Sequence, residues 1–223
     1  MRSLCPAPLL VPLLCWALAL PALASDHTPP PVTPATSFPA VDVHAKEHVA
    51  IAAEPYETKE KQSIFHVQYA KYGVIPVRLV VTNLGDSPIS LRDARILFET
   101  AGGQRVQAAE PEDVERLMNP YQPHGAMPMP SPIPQIHGLH RDRAGKNVKN
   151  VEADFNTFEY AAIVVEPHTT RAGFLFYVVP GLKDPLRGAD LYLNDLRNAS
   201  GQQLFPFQIP FDKYLKAKTS QAH

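Results

Sequence analysis

The sequence has almost no cysteine, and its cysteines lie near its start. The 223 residues include 2 cysteines and 1 tryptophan, which are Cys5, Cys15 and Trp16. A leader that is cleaved after them leaves a chain that cannot form a disulfide, so the hydrophobic core must stabilise it. Leu14 precedes Cys15 where a lipoprotein signal needs a small residue, which favours a cleaved signal over lipidation. Because exported animal modules usually carry disulfides, a bacterial envelope is the favoured location.

The chain also lacks an excess of charge of either sign. It has 21 Lys and Arg against 22 Asp and Glu, and its formal net charge is -1. Nucleic-acid binding proteins concentrate positive charge to contact phosphates, so a nucleic-acid partner is not expected. The hydrophobic share of 45% and the charged share of 19% are typical of a globular chain rather than a disordered one.

Long apolar runs are missing except at the amino terminus. Residues 9–20 form an apolar stretch, but a helix that crosses a bilayer needs about 20 residues. Arg2 precedes this stretch, and Ala-Leu-Ala at residues 22–24 fits a small-x-small cleavage site. We therefore expect a signal peptide over residues 1–24, a mature chain that begins at Ser25 and no transmembrane segment after cleavage.

The chain is rich in proline, with 24 prolines against 11 glycines. Residues 25–43 combine prolines with small and hydroxylated residues, which predicts an extended and solvated Pro-rich linker. Residues 119–134 form a second Pro-rich stretch, in which alternate prolines exclude a helix or a central strand.

Short alternating strands separated by turn residues occupy most of the remaining chain. In residues 75–82, Val77, Leu79 and Val81 share one face, and Arg78 opens the other. The repeated pattern predicts an all-β fold, an immunoglobulin-like antiparallel β-sandwich over residues 44–215. Prolines 206 and 210 mark the last strand as an edge strand, and residues 216–223 read as a polar tail.

Residues 110–157 interrupt this pattern and exceed what a minimal sandwich needs. Pro111 suits the first turn of a helix, and Val114, Leu117 and Met118 fall on one helical face. A second, charged helix is expected over residues 140–153. We therefore predict a Pro-rich, partly helical insertion over residues 110–157.

The late aromatic residues are expected to fill the core. Phe205 and Phe207 alternate with polar residues in the last strand, which places both inside the sandwich. An exposed strip of Tyr177, Tyr192 and Tyr214 that stacks on sugars or on a partner protein is the alternative.

Three runs of sequence resemble an uncharacterised family of secreted bacterial proteins with an immunoglobulin-like β-sandwich domain. They are YGVIPVRLVVTNLGDSPI at residues 72–89, VEPHTTRAGFLFYVVP at residues 165–180 and AEPYETKEK at residues 53–61. The resemblance covers about residues 48–215. It implies a sandwich in the cell envelope and assigns no reaction.

The favoured function is an exported, non-enzymatic binding or structural module of the cell envelope. Its recognition surface would be the insertion at residues 110–157, because loops on a rigid scaffold commonly carry binding. His137, His140, Arg141 and Arg143 are the candidate binding residues, and the basic ones could face an anionic partner. The partner is expected to be an envelope protein or a polysaccharide, and no cofactor is required.

Copper binding is the first alternative function. The insertion carries His124, Met127 and Met129 close together. Imidazole and thioether ligands together suit copper, and thioethers favour Cu(I). These residues would form the metal site of a periplasmic copper carrier.

A zinc hydrolase is the second alternative. His44, Glu47 and His48 match the H-x-x-E-H pattern, in which two histidines on one helix face bind zinc and the glutamate activates water. This hypothesis requires the segment to be helical and a third ligand to converge on it.

Overall fold

The structure, a computed structural model, describes residues 27–118 and 138–221. Strands in these residues are β1 (Val41–His44), β2 (Val49–Pro55), β3 (Val74–Asn83), β4 (Ile89–Ser90), β5 (Arg95–Glu99), β6 (Arg105–Gln107), β7 (Val164–Val165), β8 (Thr170–Val178), β9 (Asp190–Asn194) and β10 (Phe207–Pro210). The α-helices are α1 (Pro111–Met118), α2 (Gly138–Phe158) and α3 (Phe211–Gln221).

Two four-stranded antiparallel sheets face each other across the main core. The first sheet has the order β1-β2-β3-β8 and the second has the order β10-β9-β5-β6, while β4 pairs with β7. Apolar side chains from both sheets fill the space between them, among them Ile51, Leu79, Tyr177, Phe98, Leu191 and Phe207. The chain is therefore mostly β, with a few helices, in an arrangement consistent with a β-sandwich.

Strand β3 is buried along its whole length, and this corrects the expectation that one face is open. All ten of its residues are buried. Val77, Leu79 and Val81 lie in the core between the sheets, as the alternation predicted. The opposite face is covered as well, because Val80 packs in a second apolar cluster and Arg78 is only 5% exposed.

The segment that precedes β1 covers part of that second face. The Arg78 guanidinium donates hydrogen bonds to the carbonyl oxygens of Pro30 at 3.2 Å and Pro31 at 2.7 Å. The Ala35 amide donates to Thr82 Oγ1 at 2.8 Å, and Ala35 is fully buried. Residues 27–34 are mostly exposed and lack regular structure, but the linker expected over residues 25–43 ends earlier than predicted, because Ala35 is buried and β1 begins at Val41.

Helices α1 and α2 pack on the same side of the first sheet, over β8. Val114 of α1 and Phe155 of α2 lie in one apolar cluster with Phe174 and Phe176 of β8. Both helices fall where helices were expected, although α2 is longer than residues 140–153. Leu117 is 38% exposed, so it does not share the buried face predicted for it.

The last strand, β10, lies at the edge of its sheet, as its prolines predicted. Pro206 and Pro210 have no amide hydrogen to offer at this edge. The Gln208 amide donates to Asp42 Oδ2 at 3.0 Å, and the amide of Phe205 donates to Glu47 Oε1 at 2.8 Å. The edge is therefore closed to a further strand by side chains of β1 and its turn.

The structure decides the expectations about the late aromatic residues and the carboxyl-terminal tail. Phe205 is 76% exposed instead of buried, because it precedes the ordered strand. Tyr177 and Tyr214 are buried, as the favoured expectation of a core role requires, so the alternative of an exposed tyrosine strip does not hold. The polar tail expected from residue 216 is mostly exposed up to residue 220 and continues helix α3, which begins with the core residue Phe211.

Candidate functional site

Most residues predicted to bind a partner or copper lie outside the described part of the chain. His124, Met127, Met129 and His137 fall between residues 118 and 138. His140, Arg141 and Arg143 lie in the first turns of α2, of which the structure describes the backbone alone. The copper site and the basic recognition site therefore stay predictions.

The H-x-x-E-H segment is not helical, so the helix that the zinc hydrolase hypothesis requires does not form. His44 ends β1, and Glu47 lies in the turn that follows. His48 has a φ of 56° and immediately precedes β2. The motif needs two histidines one helical turn apart on the same face, and a hairpin between two antiparallel strands cannot provide that spacing.

The His44 side chain instead joins the two sheets at their edge. Its Nδ1 lies 2.7 Å from Glu47 Oε2, and its Nε2 lies 3.3 Å from Asp42 Oδ2. Its ring stacks on Phe207 of β10, with 3.8 Å between ring centroids. Because the same two carboxylates accept backbone amides near β10, this group has a structural role between the sheets.

A second polar cluster forms where α2 meets the segment between β2 and β3. Asp154 of α2 is fully buried. Its Oδ1 accepts hydrogen bonds from the His66 amide at 2.9 Å and from His66 Nδ1 at 2.7 Å. Its Oδ2 accepts bonds from the Val67 amide at 3.2 Å and from the Tyr69 hydroxyl at 3.0 Å. The carboxylate thus has four donors in place of water.

The hydrogen bonds of Asp154 indicate a structural tie rather than a catalytic pair. In general-base catalysis an aspartate can orient a histidine. Here the His66 ring is only one of the four donors to Asp154; the other three are two backbone amides and a phenol. Burial and the adjacent Asp154 raise the pKa of Tyr69 well above its ordinary value of 10.0, so the phenol keeps its proton and donates it. The cluster fastens residues 66–69 to α2 and leaves the His66 side chain 33% exposed.

His27, the first described residue, covers one face of the His66 ring. The two ring centroids are 3.8 Å apart, and the rings are inclined by 21°. His27 Nδ1 lies 2.9 Å from the carbonyl oxygen of Ile64. Since a carbonyl only accepts, Nδ1 is the protonated nitrogen in this arrangement. The His27 residue is otherwise exposed to solvent.

A cleft lies between the β8–β9 connection and α3. It has a volume of about 600 Å³ and is lined by Lys183, Arg187 and Lys218 together with Glu57 and Asp184. The Lys218 ammonium pairs with the Glu57 carboxylate at 2.7 Å. Because positive and negative groups nearly balance, the cleft has no strong preference for a charged ligand.

The contacts of Asp154 could not be found from sequence spacing. His66 and Asp154 are 88 residues apart, and no motif links them. The only local signal was the predicted helix around residue 154, which indicates a helical position but not a buried carboxylate.

Comparison with known proteins identifies no relative: no family model matches the chain, and no curated protein matches it. Among the described helices, none combines the length and the apolar character that crossing a membrane requires. Function must therefore be inferred from the residues and contacts of this chain.

Proposed function

We propose that the protein is an exported, non-enzymatic binding or structural module of the bacterial cell envelope, with its recognition surface on residues 110–157. The proposal includes an immunoglobulin-like topology for the sandwich and a Pro-rich insertion. Export is supported by the signal-like residues 1–24, and a bacterial envelope is supported by the absence of cysteine after them.

The observation that carries the proposal is the anchoring of both flanks of residues 119–137. On one side, Val114 and Met118 of α1 are buried; on the other, Val151 and Phe155 of α2 are buried in the same cluster. Asp154 adds its four hydrogen bonds beside them. Residues 119–137 thus connect two helices that both pack on the sheet, and a connection between packed elements is a common place for recognition.

The partner is proposed to be an anionic polysaccharide or an envelope protein. The sequence of α2 carries Arg141, Arg143, Lys146 and Lys149 within nine residues. Such a basic run attracts anionic polymers, and this attraction weakens as salt screens it. Of the two partners, the polysaccharide is favoured by this charge.

The test for the polysaccharide uses immobilised alginate as an anionic probe and dextran as a neutral one. We expect the mature chain to bind alginate at low salt, and Arg141→Ala with Arg143→Ala to weaken binding about tenfold, as for two lost charge contacts. The control, Arg95→Ala with Arg105→Ala, removes two arginines from β5 and β6. Equal weakening by both pairs would show attraction to net charge and would contradict a surface on the insertion.

The test for a protein partner is capture from envelope extracts. One variant replaces residues 119–137 by a Gly-Ser linker of equal length, and the control replaces the turn at residues 198–201 in the same way. We expect the first to lose the captured partner and the second to keep it. Capture that survives in both variants would place recognition outside the insertion.

A further inference from the structure

We infer that the cleft between the β8–β9 connection and α3 binds a short zwitterionic peptide with apolar side chains. The cleft has a volume of about 600 Å³, and small-molecule sites typically have about 300–1,000 Å³. None of the described residues that line it belongs to residues 110–157. The inference therefore goes beyond the proposed recognition surface and does not depend on it.

The buried residues that line the cleft are apolar. Val74 and Ile75 at the start of β3 and Val179 directly after β8 all line it. The Val179 amide donates to the Gly73 carbonyl at 2.8 Å, which holds the two strand ends side by side. Leu182 lines the same cleft and is 47% exposed. A ligand with apolar side chains would remove this surface from water, which favours binding.

The loop at residues 180–188 forms one wall of the cleft, and hydrogen bonds hold it in place without a ligand. The Gly188 amide donates to Asp212 Oδ1 of α3 at 3.2 Å. Within the loop, the Arg187 amide donates to the Asp184 carbonyl at 3.2 Å. Because the wall is already ordered, a ligand has little ordering cost to overcome when it binds.

The charged groups of the cleft consist of one ion pair and three side chains outside it. The Lys218 ammonium pairs with the Glu57 carboxylate at 2.7 Å. In the part of the chain that the structure describes, Lys183, Arg187 and Asp184 form no ion pair. These three exposed side chains belong to the same loop and carry both signs of charge. A ligand with one carboxylate and one ammonium offers a partner to each sign, which agrees with the near balance of charge in the cleft.

A short peptide with apolar side chains combines both properties. Its terminal carboxylate accepts hydrogen bonds from Lys183 and Arg187, and its terminal ammonium donates to Asp184. Its side chains cover Leu182 and the buried apolar residues. A free amino acid carries the same two charges but covers less apolar surface, so the test includes both ligands.

The first test is a calorimetric titration of the purified chain with the dipeptide Leu-Leu. Three further ligands are compared with it: acetyl-Leu-Leu, which lacks the ammonium, Leu-Leu amide, which lacks the carboxylate, and leucine. We expect one-to-one binding of Leu-Leu and about three- to tenfold weaker binding of each blocked form, because each loses an ion contact at an exposed rim. Leucine should bind more weakly than Leu-Leu, since it buries less apolar area.

The second test uses variants that locate the bound dipeptide. Arg187→Gln and Asp184→Asn should each weaken Leu-Leu binding about three- to tenfold. Arg92→Gln, an exposed arginine between β4 and β5, is the control and should leave binding unchanged. Leu182→Ser should also weaken binding, whereas Leu84→Ser should not, although Leu84 is similarly exposed at 44%. All five changes are at exposed positions, so each variant should keep the circular dichroism spectrum of the natural chain.

Four outcomes overturn the inference. A Kd for Leu-Leu weaker than about 1 mM would show that the cleft is not a peptide site. Unchanged binding in both Arg187→Gln and Leu182→Ser would place the dipeptide elsewhere on the protein. Acetyl-Leu-Leu that binds as tightly as Leu-Leu would exclude a zwitterionic ligand, and leucine that does so would replace the peptide by a free amino acid. None of these results bears on recognition by residues 110–157, which the alginate and capture experiments test separately.

Discussion

Asp154 shows how one residue can determine the position of an element. A carboxylate without water is costly to bury unless hydrogen bonds compensate its charge. Its four donors come from three nearby positions of the segment between β2 and β3, at residues 66, 67 and 69. The carboxylate therefore selects one arrangement of that segment against α2.

We predict that Asp154→Ala lowers the free energy of unfolding by about 3 kcal/mol, because it leaves buried amides and a phenol without an acceptor. Tyr69→Phe removes a single donor and should cost about 1 kcal/mol. Urea unfolding followed by circular dichroism measures both changes.

The control for Asp154 is Glu152→Ala, which removes an exposed acid from the same helix. It should change the free energy of unfolding by less than about 0.5 kcal/mol. If Asp154→Ala were no more harmful than Glu152→Ala, the tie between α2 and residues 66–69 would not stabilise the fold.

At the scale of elements, the backbone that follows α2 lies very close to the backbone of strand β8. The Tyr160 amide donates to the Phe174 carbonyl at 3.0 Å. This approach depends on Gly173, because a Cβ there would lie 2.5 Å from Tyr160 Cα and 2.8 Å from its backbone nitrogen. Glycine is required here by the neighbouring backbone, and no nearby side chain could move away to make room.

Gly173→Ala should therefore destabilise the protein by about 2 kcal/mol or more, as overpacking against backbone does. The measurement is the urea midpoint, together with hydrogen exchange of the Tyr160 amide, which should become faster. Gly102→Ala is the control, because its new Cβ would find its nearest neighbour at 3.8 Å, in the Thr100 hydroxyl. Equal stability of the two variants would show that β8 can shift to admit a methyl group.

At the scale of the whole molecule, the cores hold tyrosines that resist ionisation. Burial raises the pKa of Tyr56 to about 12. Burial is also the largest cause that raises the pKa well above 10.0 for four other tyrosines: Tyr69, Tyr160, Tyr177 and Tyr214. The folded protein thus keeps protons that the unfolded chain releases above pH 10.

The sign of the pH dependence follows from these raised pKa values. Stability from the tyrosines is fully present below pH 10 and is lost as pH rises through their folded pKa values. For each such tyrosine, the free energy of unfolding falls by about 1.4 kcal/mol per pH unit between pH 10 and the folded pKa of that tyrosine. Urea midpoints between pH 8 and pH 12 should fall steeply only above pH 10.

Tyr177→Phe tests this reading, because it keeps the buried ring and removes one ionisable hydroxyl. Its stability should fall less steeply above pH 10, by the contribution of one proton. An identical slope in the variant and the natural chain would mean that alkaline unfolding has another cause. Below pH 9 these tyrosines are protonated in the folded and the unfolded state alike. The stability of the variant and that of the natural chain should therefore depend on pH in the same way there.

The sequence by itself determined what depends on local covalent structure. The alternation of β3 predicted that Val77, Leu79 and Val81 lie in the core, because successive side chains of a strand point to opposite faces. Pro206 and Pro210 predicted an edge strand, since proline has no amide hydrogen to pair. The helices at residues 111–118 and 138–158 were foreseen in place and type, although not in length.

Only the tertiary structure decided which distant groups meet. It brought His66 to Asp154, docked residues 27–40 on the first sheet and exposed Phe205, and no local pattern carries these outcomes. It also made the H-x-x-E-H segment a hairpin turn, because pairing of β1 with β2 overrides the helix propensity of the residues between them. Contacts between remote parts of the chain depend on how whole elements pack, and packing is a property of the assembled fold.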